Sequence, residues 1–86
     1  MTAKTVTVRY FASIREGMGR ERESVSTRAQ TLAALRQELI ARGAPWADCL
    51  AEGRALRMAL DQAMAGADAP LPDGAEVAFF PPVTGG

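Results

Sequence analysis

The residues best suited to chemistry stand at the end of the chain, Pro81-Pro82-Val83-Thr84-Gly85-Gly86. The prolines have no N–H for a sheet ladder and the paired glycines have nothing to pack, so this segment is neither strand nor helix. Pro-Pro favours a stiff, extended polyproline II stem. Gly-Gly supplies a slim end with free dihedrals. The segment is expected to project from the domain and present the backbone carboxylate of Gly86. That shape suits a carboxylate that must enter a narrow active site on another protein. Side chains there would block a nucleotide, a thiol or a second substrate. A carboxylate is a poor electrophile and must first be activated, for example as an acyl-adenylate. A sulfur nucleophile can then displace AMP and leave a thiocarboxylate. A terminal Gly-Gly alone is more often a frayed end; the Pro-Pro stem and the domain upstream argue for a working end.

Other chemistry is scarce. The sequence has no histidine, the commonest general base and metal ligand at neutral pH. Cys49 is the one cysteine, so it can form neither an internal disulfide nor, by itself, a zinc site. Its apolar neighbours Trp46 and Leu50 favour a structural thiol over a persulfide carrier. Independent hydrolytic or metal catalysis is not expected. The charges balance at ten basic and ten acidic residues, which gives no footprint for nucleic acid or an anionic membrane. Residues 1–5 contain no secretory apolar stretch, and no apolar run approaches a membrane span. With no disulfide framework, a reducing, cytoplasmic setting is expected.

The elements that must position the tail are readable from periodicity. Residues 5–11 alternate, with Val6, Val8 and Tyr10 on one face and Thr5, Thr7, Arg9 and Phe11 on the other, which predicts a half-buried strand. Residues 12–19 contain Gly17 and Gly19 and read as a loop with room for one helical turn. Residues 20–27 predict a short polar strand around Val25, hairpin-paired with the first. Residues 31–42 predict the main helix, with Leu32, Leu35, Leu39 and Ile40 as its apolar stripe. Arg36, Gln37 and Glu38 are expected to face away from it. Thr31 or Thr27 would cap its start, Gly43 would stand at C′, and Pro45 would prevent continuation. Residues 45–52 suit one helical turn over the core, with Trp46 at the core or its rim. Leu56, Met58 and Leu60 predict a strand, and residues 63–65 a brief one. Residues 70–74 are a strong turn signal, and residues 76–80 predict the last strand.

One main helix cannot cover both faces of such a sheet. The expected architecture is α+β, with the helix packed across a mixed sheet and the first and last strands side by side at its centre. The uncovered face would carry Phe11 and Phe80, joined by Met64 across the short strand. Clustered exposed apolar groups mark an interface, so these residues are expected to dock partners. The competing reading is that the alternation slips and they are core. Arg15 suits either an acidic patch on a partner or local pairing with Glu16 or Glu23.

The run Asp73-Gly74-Ala75-Glu76-Val77-Ala78-Phe79-Phe80-Pro81-Pro82-Val83-Thr84-Gly85-Gly86 resembles the C-terminus of the molybdopterin synthase small-subunit family. Phe11-Ala12-Ser13-Ile14-Arg15-Glu16 resembles that family's N-terminal Phe-Ala-x-x-Arg-Glu segment, and Leu35-Arg36-Gln37 a run in its helix. The resemblance covers nearly the whole chain. The departures are a slightly longer N-terminus and Asp61 where an asparagine is common. The resemblance implies a β-grasp, ubiquitin-like domain over residues 1–80 and an extended tail over 81–86. It implies that an E1-like enzyme uses ATP to adenylate Gly86, and that a sulfurtransferase or cysteine desulfurase system supplies sulfur for a thiocarboxylate. Pro81, Pro82, Val83, Thr84 and Gly85 would thread into the large synthase subunit, where sulfur passes to cyclic pyranopterin monophosphate and builds the dithiolene. The implied assembly is a two-plus-two heterotetramer, with base and phosphate-binding groups on the large subunit and no permanently bound cofactor here. Alternatives are a carrier for thiamine, cysteine or tRNA thiolation, a protein modifier joined to lysines, and a binding module with an inert tail.

Overall fold

The alternation at the chain's start and end becomes the centre of a five-stranded sheet. The computed structural model describes residues 3–51, 53 and 55–82. The elements are β1 (Lys4–Tyr10), α1 (Ala12–Met18), β2 (Arg22–Thr27), α2 (Leu32–Ile40), α3 (Trp46–Cys49), β3 (Arg57–Leu60), β4 (Ala63–Ala65) and β5 (Glu76–Phe80). The strand order is β2-β1-β5-β3-β4, with β1 parallel to β5 and the other neighbours antiparallel. Val8 therefore lies beside Val77 and Tyr10 beside Phe79, whose rings stack with centroids 6.3 Å apart.

Val6, Val8, Tyr10, Val77 and Phe79 point to one side, where they share a core with Leu32, Leu35 and Leu39 of α2 and Leu50. Full burial of each such side chain is worth roughly 1.5–3 kcal/mol. Thr31 caps α2, its hydroxyl accepting from the Ala34 N–H at 3.1 Å. Thr27, the other candidate cap, instead accepts from the Ala29 N–H at 2.9 Å, and its hydroxyl donates to the Glu38 carboxylate. Gly43, with φ 89°, lies one residue beyond the C′ position expected for it, because α2 closes at Ala41.

Two local expectations are corrected. Residues 12–18 form a seven-residue helix where a loop with room for one helical turn is expected. Ile14 and Met18, one turn apart, bury into the core, and Gly19 ends the helix at φ 71°. Gly17 obscured that pattern in the sequence. Arg36 does not face away: its Nε donates to the Leu50 carbonyl and its Nη2 to the Ala51 carbonyl, both at 2.7 Å. A helix-surface cation thus satisfies carbonyls that the end of α3 leaves open.

The 70–74 turn is fastened to the start of β1. Asp73 Oδ1 accepts from the Thr5 N–H at 2.9 Å, and Gly74, at φ 81°, donates its N–H to the Thr5 carbonyl at 2.9 Å. Lys4 Nζ donates to the carbonyls of Ala29 and Leu71 at 2.8 and 2.7 Å. These bonds fix where β5 begins and hence where the tail leaves. Among the described residues no helix is long and apolar enough to cross a membrane.

Candidate functional site

Strand parity assigns the face opposite the core. Arg9, Ala78, Ala59 and Met64 are successive neighbours across β1, β5, β3 and β4, and Glu76, Phe80 and Arg57 share their parity. Phe11 continues β1 by donating its N–H to the Phe79 carbonyl at 3.1 Å. Its ring meets Phe80 edge-on, with centroids 6.4 Å apart and planes at 86°. Ala12 then turns the chain into α1 through a left-handed backbone, φ 54°.

Phe11, Phe80, Ala59 and Ala78 wall a shallow hollow of about 290 Å³, rimmed by Arg9, Glu76 and Gln62. The Arg9 guanidinium sits 5.0 Å from the Phe11 ring centre and donates from Nη1 to Glu76 Oε2 at 3.2 Å. Gln62 reaches the rim because Asp61 and Gln62 both take positive φ, 49° and 72°, in the tight β3–β4 turn. Asp61 tolerates that conformation, and its Oδ1 accepts from the Glu76 N–H at 2.9 Å. An aspartate at this position therefore builds the turn that an asparagine would also build.

Met64, at 65% exposure, is the one large hydrophobic residue that stands exposed among the described residues. Phe11 and Phe80 are half-buried. The structure thus brings Phe11, Phe80 and Met64 to one face, with Phe11 and Phe80 in ring contact and Met64 beside a second hollow with Leu56 and Arg57. Arg15 is exposed on α1 and lines neither hollow. Its suggested partner Glu23 is taken by Arg20 and Arg42, at 3.3 and 3.1 Å. Pro81 and Pro82 follow Phe80 directly and are half-buried, so the tail is rooted at the edge of the hollow. Val83, Thr84, Gly85 and Gly86 lie outside the described residues.

On the core side, Glu23 collects hydrogen bonds from Tyr10 Oη at 2.7 Å, Trp46 Nε1 at 3.0 Å and the two arginines. Both guanidinium groups lie near 5 Å from the Trp46 ring centre, 5.1 Å for Arg20 and 5.0 Å for Arg42. Burial pushes the Glu23 carboxyl up, but bonds from Tyr10, Trp46 and Arg42 outweigh it and hold the group below its ordinary value. Burial, then the hydrogen bond and charge of Glu23, drive the Tyr10 phenol upward. This cluster joins β1, β2 and α3 as a structural lock, with Trp46 at the core rim. Cys49 is buried at 6% exposure, its Sγ against the backbone of Gly17. Among the described residues no group of three or more His, Cys, Asp or Glu side chains could hold a metal ion.

Sequence reasoning missed Arg9, Gln62 and Glu76 as members of the outward site. Parity already places Arg9 on the face of Phe11, two residues before it, without marking it as a site residue. Gln62 required the turn geometry. The outward face offers apolar and charged groups side by side, and among the described residues it assembles no nucleophile and base.

Comparison with known proteins adds independent findings. The ThiS family matches residues 8–86. The chain is 44% identical over 81 residues to the molybdopterin synthase sulfur carrier subunit of Escherichia coli (strain K12), covering 94% of this chain and 99% of that protein. Its fold matches the small archaeal modifier protein 1 of Methanosarcina acetivorans with a TM-score of 0.76 over 100% of both chains, at 20% identity. A chain in the complex of subunits 1 and 2 of molybdopterin-converting factor from Helicobacter pylori 26695 matches with a TM-score of 0.63 at 28% identity, over 95% of this chain and 99% of that one. The architecture is the β-grasp of ubiquitin-like proteins.

Proposed function

The chain belongs to the ThiS family, and from that premise we propose that it is the sulfur carrier subunit of molybdopterin synthase in molybdenum cofactor biosynthesis. The observation that carries this reading is the 44% identity to the Escherichia coli carrier over 94% of this chain. Gly86 is the reacting residue. An E1-like enzyme binds the carrier, and the Gly86 carboxylate attacks the α-phosphorus of ATP, releasing pyrophosphate. A persulfide carried by a sulfurtransferase or cysteine desulfurase attacks the acyl carbon and AMP leaves. A thiol then attacks the donor enzyme's own sulfur in the acyl disulfide, forming a new disulfide and releasing the thiocarboxylate. The large subunit then takes that sulfur for cyclic pyranopterin monophosphate, and two carriers serve two large subunits. ATP is consumed by the activating enzyme, and the carrier itself holds no permanent cofactor. It works in the cytoplasm.

The carrier's own contribution is recognition and reach. Phe11, Phe80 and Met64 supply apolar contact, and Arg15, exposed on α1 away from both hollows, is a separate candidate for pairing with a partner's acidic group. Six residues follow Phe80. Fully extended, they span at most about 20 Å, enough to enter a neighbouring active site while the body stays docked. Pro81 and Pro82 restrict the stem, which lowers the entropy lost on threading. Gly85 leaves room around the acyl carbon.

The test is reconstitution. The thiocarboxylated chain, mixed with the large subunit of its own organism and the pterin precursor, is expected to yield molybdopterin. The carboxylate form should yield none. Failure of the thiocarboxylate form with a competent large subunit would direct the chain to another thiolation pathway.

A further inference from the structure

The outward face is charged as well as apolar. Arg22 stands directly opposite Arg9 on β2, and Arg57 stands opposite Phe80 on β3. Among the outward strand positions these three cations face one acid, Glu76, which Arg9 already engages at 3.2 Å. Like charges directly across a strand pair weaken a sheet, so the Arg9–Arg22 register works against stability. The Nε of Arg9 is shut off from solvent and lacks a hydrogen-bond partner. Arg9 and Glu76 remain about a third exposed, at 31% and 29%, so water moderates their charges in the free chain. A partner seated on Phe11 and Phe80 removes that water. Desolvated cations then need new acceptors, or they oppose docking.

We infer that the large subunit meets this face with an apolar side chain entering the Phe11–Phe80 hollow and with carboxylates around it that receive Arg9, Arg22 and Arg57. This inference rests on the proposed carrier function and specifies the chemistry of its partner. Three outward cations against one acid call for an occupant that brings carboxylates, and a solved structure similar to this chain stands in a complex of subunits 1 and 2 of molybdopterin-converting factor. A second copy of this chain fits poorly, because a two-fold pairing of the same face sets arginines against arginines. The arginines therefore act as specificity residues, steering the partner and rejecting surfaces that lack acids.

The experiment is calorimetric titration of the full-length chain into the large subunit of the same organism across a salt series, with circular dichroism on every variant. The triple variant Arg9→Gln, Arg22→Gln, Arg57→Gln should fold, bind about tenfold more weakly at low salt and lose most of the salt dependence. The triple lysine variant should keep the salt dependence, because it keeps the charge. Phe80→Asp should abolish binding. If the glutamine variant binds as wild type with the same salt slope while Phe80→Asp still fails to bind, the charge inference is overturned and the docking face stands. If Phe80→Asp also binds as wild type, the docking face and the inference both fall. A wild-type chain that does not bind the large subunit at all overturns the carrier reading and this inference together.

Discussion

Single side chains decide whether this domain holds together, and two of them make sharp tests. A Cβ on Gly17 would come within 2.7 Å of Cys49 Sγ. Alanine normally strengthens a helix interior by roughly 0.5–1 kcal/mol relative to glycine, but the clash with a buried sulfur outweighs that. Gly17→Ala should lower stability by about 1 kcal/mol in urea unfolding. Adding Cys49→Ala to Gly17→Ala should recover that loss, a coupling that independent sites would not show. Glu23 makes the second test. Glu23→Ala strands the Tyr10 hydroxyl and the Trp46 N–H and should cost about 2 kcal/mol. Because the folded-state pKa of Glu23 lies below its ordinary value of 4.5, its stabilisation is fully present above pH 4.5 and fades as pH falls through the lowered value. Tyr10 acts in the opposite sense. Its folded-state pKa lies above 10.0, so its contribution is full below pH 10.0 and is lost in more alkaline solution. Thermal unfolding across both ranges should show the acid-side loss vanish in Glu23→Ala.

At the scale of elements, the outward face separates folding from binding. Phe80 closes β5 on the side away from the core and loses its ring contact with Phe11 on substitution, so Phe80→Asp should lower the unfolding free energy by about 1 kcal/mol while abolishing capture by the large subunit. A parallel loss of folding would make Phe80 a core residue. Strands β1 and β5 were legible because their period-two alternation survives in the structure, down to the outward placement of Phe11 and Phe80. The main helix was legible from Leu32, Leu35 and Leu39 behind a threonine cap. Helix α1 was not, since two glycines in eight residues mask an Ile14–Met18 pair that only packing reveals. Arg36 was misread for a related reason. Periodicity assigns it an outward face, while the open carbonyls of Leu50 and Ala51 that claim it come from another element. Gln62 reached the rim of the hollow through a left-handed turn that no period encodes.

At the scale of the whole molecule, the proposed function divides labour between a body that recognises partners and a tail that reacts. Strand β5 links them, since its last residue walls the hollow and its next residues begin the stem. The role proposed for the tail comes from its composition, side-chain-free residues behind a proline stem, and Val83 to Gly86 lie outside the described residues. The charged character of the docking face was not legible, because it emerges only when β1, β2 and β3 are laid side by side. The central claim concerns one atom of Gly86, and intact-mass analysis tests it most directly. The chain is incubated with ATP, the activating enzyme and the sulfur source of its own organism, then weighed and mapped by peptide fragmentation. The expected result is exchange of one oxygen for one sulfur, located on the C-terminal peptide and absent from a variant lacking Gly86. An unchanged mass, or sulfur found on Cys49 instead, would contradict the account.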